Sequence, residues 1–237
     1  MSIPGPEDIS RHELPNGIVV LVRENRASPS VVVSGYLEVG SYDEEAEQAG
    51  LAAFTASMLT RGTAHRTFDQ VYEEVESVGA TIGVSPGIHH TRFGGRSLAE
   101  DLPLILGVLA DVVRNPSFPS REVEKLRGEI LTDLEERAHD TRRMAALTFR
   151  ELCYPPTHPY GHSLVGYAET TSALARNDLV DFYQGGFGPQ GMIIAVIGAV
   201  GTDEAMEQVS SAFGDWDGQT YHRDPLPPVS RPKEVHQ

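Results

Sequence analysis

The residues able to do chemistry fall into three groups: nine histidines, a single cysteine, and a row of carboxylates on one amphipathic segment. Over residues 121–138, Val123, Leu126, Ile130 and Leu134 form an apolar stripe at helical spacing. Glu122, Glu129, Asp133 and Glu136 fall on one line beside it. Such a line is either a solvated acidic face or the presentation of one carboxylate into a site. His89 and His90 are adjacent on a predicted strand, so their side chains point to opposite faces and do not easily share a metal. His158 and His162 have the i, i+4 spacing of a metal pair, but Pro159 and Gly161 oppose a helix between them. A metal site built from His158, His162 and an acid such as Glu135 stays open as an alternative. Cys153 is the only cysteine and can form neither an internal disulfide nor a thiolate zinc cluster. Its neighbours Leu152 and Tyr154 assign it to the core rather than to nucleophilic work. Neither a G-x-S-x-G elbow nor a phosphate-binding glycine loop occurs.

Composition narrows the classes further. With 237 residues, 40% hydrophobic and 22% charged, the chain is globular and large enough to bury a core without disulfides or metal. Its 34 acidic and 19 basic residues give a formal net charge of -15, which argues against nucleic acid as a partner. An acidic surface suits solubility and would also attract basic peptides. The opening MSIPGPEDIS has no basic start and no apolar run, so it does not read as a signal peptide. The longest apolar stretch, Met192 to Val200, is too short to cross a bilayer, so no membrane insertion is expected. These features lead to the expectation of a soluble, cytoplasmic protein, although a chain trimmed of a leader would look the same.

The elements that must position these groups alternate between strand pairs and helix pairs. Residues 10–24 read as a hairpin around Pro15-Asn16-Gly17, and Val31 to Val39 as the next strand. Residues 48–61 form a candidate helix marked by Leu51, Phe54 and Met58, with small residues elsewhere; so little polar surface predicts burial. Phe68 to Val78 and Leu102 to Val113 are further helices, with strands over Ala80 to Ser85 and His89 to Arg96 between them. Ser120 is a candidate cap of the 121–138 helix, and Thr202 of a last helix ending at Phe213. Between these come a helix over 141–152, the loop from Tyr154 to His162, a helix from Leu174 to Tyr183, a Gly185–Gly188 turn and a buried strand from Met192. Residues 1–9 read as a disordered tail, 10–215 as one domain, and 216–237 as a proline-rich linker towards a missing second domain. The pattern is α+β: a two-layer arrangement in which helices cover a mainly antiparallel mixed sheet.

Several local motifs, in order, carry a family resemblance. Leu14-Pro15-Asn16-Gly17 before a strand, Val39-Gly40-Ser41-Tyr42-Asp43-Glu44, and Gly50-Leu51 through Arg61-Gly62-Thr63 resemble successive landmarks of the insulinase, pitrilysin and mitochondrial processing peptidases. Asn115-Pro116-Ser117-Phe118 and His158-Pro159-Tyr160-Gly161 resemble later ones. The resemblance implies a zinc-peptidase fold whose chemistry is set by an inverted H-x-x-E-H motif on one helix, with a further Glu ligand from a later helix. Here the motif aligns with Ala53-Phe54-Thr55-Ala56-Ser57. Ala53 and Ser57 stand at the two lost histidine ligands and Ala56 at the lost general base, while Glu129 keeps the third ligand position. His158, Tyr160 and Gly161 are the candidate substrate-side loop. Zinc is expected for the family but not for this sequence, so no cofactor is expected. The resemblance implies a catalytically inactive, peptide-binding or chamber-forming subunit, paired with an active homologous zinc peptidase or with a second copy of itself. A structural scaffold subunit of a larger complex is the alternative, followed by a metallopeptidase with a relocated metal site.

Overall fold

The computed structural model describes residues 5–218 together with Arg223, Pro225, Leu226 and Pro228. Most of the proline-rich segment therefore lies outside the described residues. Near the start, Pro6–Asp8 forms one 3-10 turn. The hairpin then forms as β1 (Ser10–Glu13) and β2 (Val19–Glu24), with Gly17 at φ 86 in the turn. β3 (Ser30–Leu37) leads through two 3-10 turns into α1 (Leu51–Met58) and α2 (Phe68–Ser77). β4 (Thr81–Ser85), β5 (Thr91–Leu98), α3 (Leu102–Arg114), α4 (Ser120–His139) and α5 (Thr141–Cys153) follow. The chain continues through α6 (Ala168–Ala173), α7 (Arg176–Gly186), β6 (Ile193–Gly198) and α8 (Thr202–Phe213).

Among the described residues, six strands make one sheet in the order β1-β2-β6-β3-β5-β4. Only β2 and β6 run parallel, and every other pair is antiparallel, so the sheet is mixed and mainly antiparallel. Val20 and Val22 of β2, Val31 and Val33 of β3, and Ile194 and Val196 of β6 turn to one face and are buried there. The opposite face leaves Val32 and Ile197, register partners, about 40% exposed (41% and 40%). Strand alternation thus separates a helix-covered face from an open one. Leu102, Ile105, Leu106, Leu109 and Val113 of α3 pack on the covered side with Val209 and Phe213 of α8. The core extends to Trp216, which is 7% exposed and whose carbonyl accepts from Asn16 Nδ2 at 3.2 Å.

Some local expectations are corrected. Ser120 and Thr202 do not cap their helices; each is the first helical residue, and the caps are Pro119 and Gly201. A hydroxyl already inside the first turn is one position too late to reach the free N–H groups. The helix expected from Leu174 begins at Arg176, because Leu174 and Ala175 are extended and Asp178 accepts from the Ala175 N–H at 2.6 Å. Gly185 and Gly186 close α7 instead of forming a turn. Cys153 is exposed, not in the core. It ends α5, a helix with no buried residue, on which Phe149 and Leu152 are 70% and 82% exposed. Apolar neighbours in sequence did not place that helix under any layer.

Candidate functional site

The small-residue helix α1 is buried as its composition requires, with Ser57 alone half-exposed. Its start depends on Gly50, held at φ 98, a left-handed conformation open mainly to glycine. A Cβ there would lie 2.8 Å from Gly166 Cα, so a side chain is excluded sterically as well. The first turn is closed by Glu44, read from the sequence only as part of an acidic loop. Its buried carboxylate accepts from the N–H groups of Gly50 at 2.9 Å and Ala52 at 2.7 Å. Burial pushes the Glu44 carboxyl above its ordinary range, opposed by His162 and by these two N–H donors. His162 Nε2 lies 3.5 Å from Glu44 Oε1, and both ring nitrogens are buried without a hydrogen bond.

Ala53 is 7% exposed and Ala56 0%, so both point into packed surroundings. α1 packs against α4 and against β4. Beyond the end of α1, Arg61 reaches across to α4. Its Nη2 lies 2.5 Å from Glu129 Oε2, its Nη1 3.2 Å from Glu129 Oε1 and 3.8 Å from Glu122 Oε2. Arg61 holds the Glu129 carboxyl below the usual carboxylate range. The acidic row is therefore neither uniformly solvated nor aimed into one site. Glu122 and Glu129 converge on Arg61, and Asp133 pairs with Arg143 at 2.8 Å.

The segment from Arg61 to Thr67 is fixed by Asp111, a carboxylate on the apolar face of α3. Its side chain is 6% exposed and accepts from Thr63 Oγ1 at 2.6 Å, Arg66 Nη1 at 2.8 Å and Asn115 Nδ2 at 3.0 Å. His65 Nδ1 lies at 2.7 Å. Burial alone would raise the Asp111 carboxyl, but these hydrogen bonds outweigh it and hold the group below its ordinary value. One signal was present in the sequence: a lone acid among the inward positions of an otherwise apolar helix.

The candidate substrate-side loop is knitted together by ring contacts. His158, 3% exposed, accepts from the Tyr160 N–H at 3.1 Å and stacks on Tyr154. Tyr160 Oη lies 2.7 Å from His89 Nε2. A Cβ on Gly161 would stand 2.3 Å from the Pro155 carbonyl, which makes glycine obligatory there. His89 and His90 precede β5 instead of lying on it, and their rings are 6.1 Å apart. The grouping of His158, His162 and Glu135 does not form: the loop turns His162 towards Glu44, and among the described residues no three His, Cys, Asp or Glu side chains are gathered for a metal.

The residues that the resemblance aligns with zinc-site positions do not fit zinc. Ala53 and Ala56 carry no donor atom, Ser57 offers a hydroxyl, and Glu129 is engaged by Arg61. Catalytic zinc takes three protein ligands and a water. No proton transfer or hydrolytic step can be assigned to this set.

Residues 19–153 match the family model described as insulinase (peptidase family M16), and residues 173–237 the one described as peptidase M16 inactive domain. Over 84% of its length the chain is 28% identical to a probable mitochondrial-processing peptidase subunit beta of Arabidopsis thaliana, covering 38% of that protein. Over 92% it is 27% identical to cytochrome b-c1 complex subunit 1 of Rattus norvegicus, covering 45% of it. The chain thus spans less than half the length of these relatives. The crystal structure of a protease from Helicobacter pylori superposes with a TM-score of 0.86 at 19% identity, over 95% of this chain and 54% of that one. That likeness concerns the fold.

Proposed function

This chain belongs to the insulinase family, peptidase family M16, and on that premise we propose that it is a non-catalytic, peptide-binding subunit that encloses peptide together with an active homologous metallopeptidase. The observation that carries the reading is α1 itself. The helix keeps its frame, its burial and its contact with α4, while both ligand positions and the base position hold small side chains and Glu129 is bound by Arg61. Losing the general base alone removes roughly 10²–10⁴-fold of rate. Losing two of three ligands removes the metal that would activate water.

Peptide binding is supported by the edge of the sheet. β4 ends the strand order and packs against α1, so its outer backbone groups have no strand partner among the described residues. Such an edge accepts an extended peptide as an added strand, and the loop of His158, Tyr160 and Gly161 would lie on the substrate side. Action in the cytoplasm, with the active homologue or a second copy as partner, belongs to the same proposal.

The test is zinc analysis and peptide cleavage on the purified full-length protein, alone and mixed with a homologue carrying an intact H-x-x-E-H. The expected result is no stoichiometric zinc and no turnover alone, with peptide binding retained. Zinc-dependent turnover by the isolated protein would overturn the reading. A scaffold role in a larger complex is the second reading, favoured by the likeness to cytochrome b-c1 complex subunit 1. Co-purification with a complex containing no peptidase would select it.

A further inference from the structure

β3 and β5 run out together at one end of the sheet, where Leu37 pairs with Thr91. The loops beyond them are stitched to each other by the backbone. The Ser41 N–H donates to the Gly87 carbonyl at 3.1 Å and the Tyr42 N–H to the Ile88 carbonyl at 2.9 Å. Thr91 Oγ1 donates to the Val39 carbonyl at 2.9 Å. Gly40 permits this approach, since a Cβ there would collide with the Ile88 carbonyl oxygen. Asp43 turns inward from the first loop. Its side chain is 3% exposed, and its Oδ2 accepts from the Gly40 N–H at 2.8 Å. A carboxylate buried to this degree calls for a cation or strong donors.

A guanidinium fills the space between these loops. Arg223 Nε donates to Asp43 Oδ1 at 2.8 Å and Nη2 to Asp43 Oδ2 at 2.7 Å, a fork on one carboxylate. The same Nη2 faces the carbonyl oxygens of His89 at 2.8 Å and Glu38 at 3.1 Å. Nη1 lies 4.0 Å from Glu38 Oε1, and the Tyr42 ring stands 5.0 Å from the guanidinium carbon. Every one of these acceptors precedes Arg223 by at least 134 residues. The cage is thus built by the ends of β3 and β5, and its occupant is brought from far along the chain. Its chemistry is selective. An ammonium is a point charge and cannot meet both carboxylate oxygens and the carbonyls in one plane, as the guanidinium fork does. Its position is also suggestive: His89, whose carbonyl completes the cage, puts Nε2 2.7 Å from Tyr160 Oη in the candidate substrate-side loop.

We propose that Glu38, Tyr42, Asp43 and His89 form a recognition site for a guanidinium group, and that Arg223 occupies it as an internal ligand in competition with an arginine side chain of a bound peptide. The site rests on its own geometry; the competition rests on the peptide-binding reading above. A tethered occupant acts at an effective concentration on the order of millimolar, so the chain's own arginine holds the site against weak ligands and yields to a peptide anchored elsewhere.

The test is an NMR titration of the full-length protein with N-acetyl-arginine amide, read at the backbone amides of Gly40, Asp43 and His89. Arg223→Ala should show saturable shifts there, at least about tenfold tighter than wild type, in which the site is filled. N-acetyl-lysine amide should bind the variant at least about tenfold more weakly than the arginine compound, the equivalent of one charge-assisted hydrogen bond. Adding Asp43→Asn should abolish the uptake. Circular dichroism checks folding, and Arg223→Lys, which keeps the charge but not the fork, is the second variant if Arg223→Ala does not fold; it too should take up the arginine compound more tightly than wild type. No saturable shift in a folded variant, equal response to the two amides, or uptake indifferent to Asp43→Asn overturns the guanidinium site. The competition is read separately by anisotropy of a fluorescein-labelled peptide with a single Arg, and of its Lys counterpart. The Arg peptide should bind Arg223→Ala more tightly than wild type, and the Lys peptide should bind both alike. Equal binding of the Arg peptide to both proteins overturns the competition. Failure of both peptides to bind either protein, while the arginine amide binds the variant, overturns the peptide reading and leaves the guanidinium site standing.

Discussion

Zinc affinity in a variant carrying Ala53→His and Ser57→His tests most directly the zinc-site alignment that the family resemblance implies. These positions are one helical turn apart on α1, the spacing that lets two imidazoles meet one metal. Ala56 is fully buried and is left alone, since a glutamate there would bring a carboxylate into a packed layer. Histidine at Ala53, 7% exposed, should itself cost about 1–3 kcal/mol by overpacking. The remaining ligand is Glu129, which must leave Arg61. Glu129 is 47% exposed, so its pair with Arg61 is worth only about 0.2–1 kcal/mol despite its two contacts. Zinc binding in structural sites supplies roughly 10–16 kcal/mol, so the metal should win Glu129 from Arg61. Replacing Arg61 by Met in the double-histidine variant should therefore raise zinc affinity no more than about fivefold. Replacing Glu129 by Gln should lower it by at least about tenfold, as loss of even an outer-shell partner often does. The assay is competition against a chromophoric chelator at neutral pH, with circular dichroism to verify folding. If Glu129→Gln leaves the affinity unchanged, or the double-histidine variant takes up no zinc, the alignment of α1 with α4 proposed for the lost site is wrong.

Other predictions concern the groups that hold this region in place. Asp111→Asn should cost about 3 kcal/mol, because it leaves Thr63, Arg66 and His65 with a poorer acceptor in a buried setting; a urea midpoint shift at constant m-value would show it, and a loss below about 1 kcal/mol would refute it. The Asp111 carboxyl is depressed in the folded state, so its stabilisation is present above the ordinary carboxylate range and lost as pH falls through the folded value; the gap between wild type and Asp111→Asn should close in acid. Glu44 behaves oppositely. Its carboxyl is raised, so its contribution is fullest below the ordinary value and is lost as pH rises through the folded one; wild type should lose stability relative to Glu44→Gln across that interval, and a relative gain would refute the assignment. Tyr183 donates towards the carbonyls of Val113 at 2.9 Å and Arg114 at 2.8 Å at the end of α3, so Tyr183→Phe should cost about 1–2 kcal/mol in the same denaturation experiment.

Much of the architecture is legible from local pattern. The Pro15-Asn16-Gly17 turn follows from its residue types, β6 from an uninterrupted apolar run, and the inward stripe of α4 from a period of 3.6, all of which the chain carries locally. The burial of α1 follows from its small side chains, and the lack of donors at Ala53 and Ala56 needs no structure at all. What tertiary structure decided is who stands opposite whom. β6 enters the sheet between β2 and β3 although it lies more than 150 residues beyond them, a pairing no local window contains. The line of carboxylates on α4 specified an angle around a helix; the guanidinium that Glu129 meets comes from Arg61, 68 residues earlier. Glu44 looked like one charge among several in an acidic loop, and became the buried cap of α1 only because the turns from Ser41 to Gln48 fold it under that helix. Cys153 went the other way, to the surface, at the end of α5, which packs on α4 but buries none of its own residues. Side-chain identity thus determined that α1 offers no donor at Ala53 or Ala56, while long-range packing determined what the carboxylates of α4 bind.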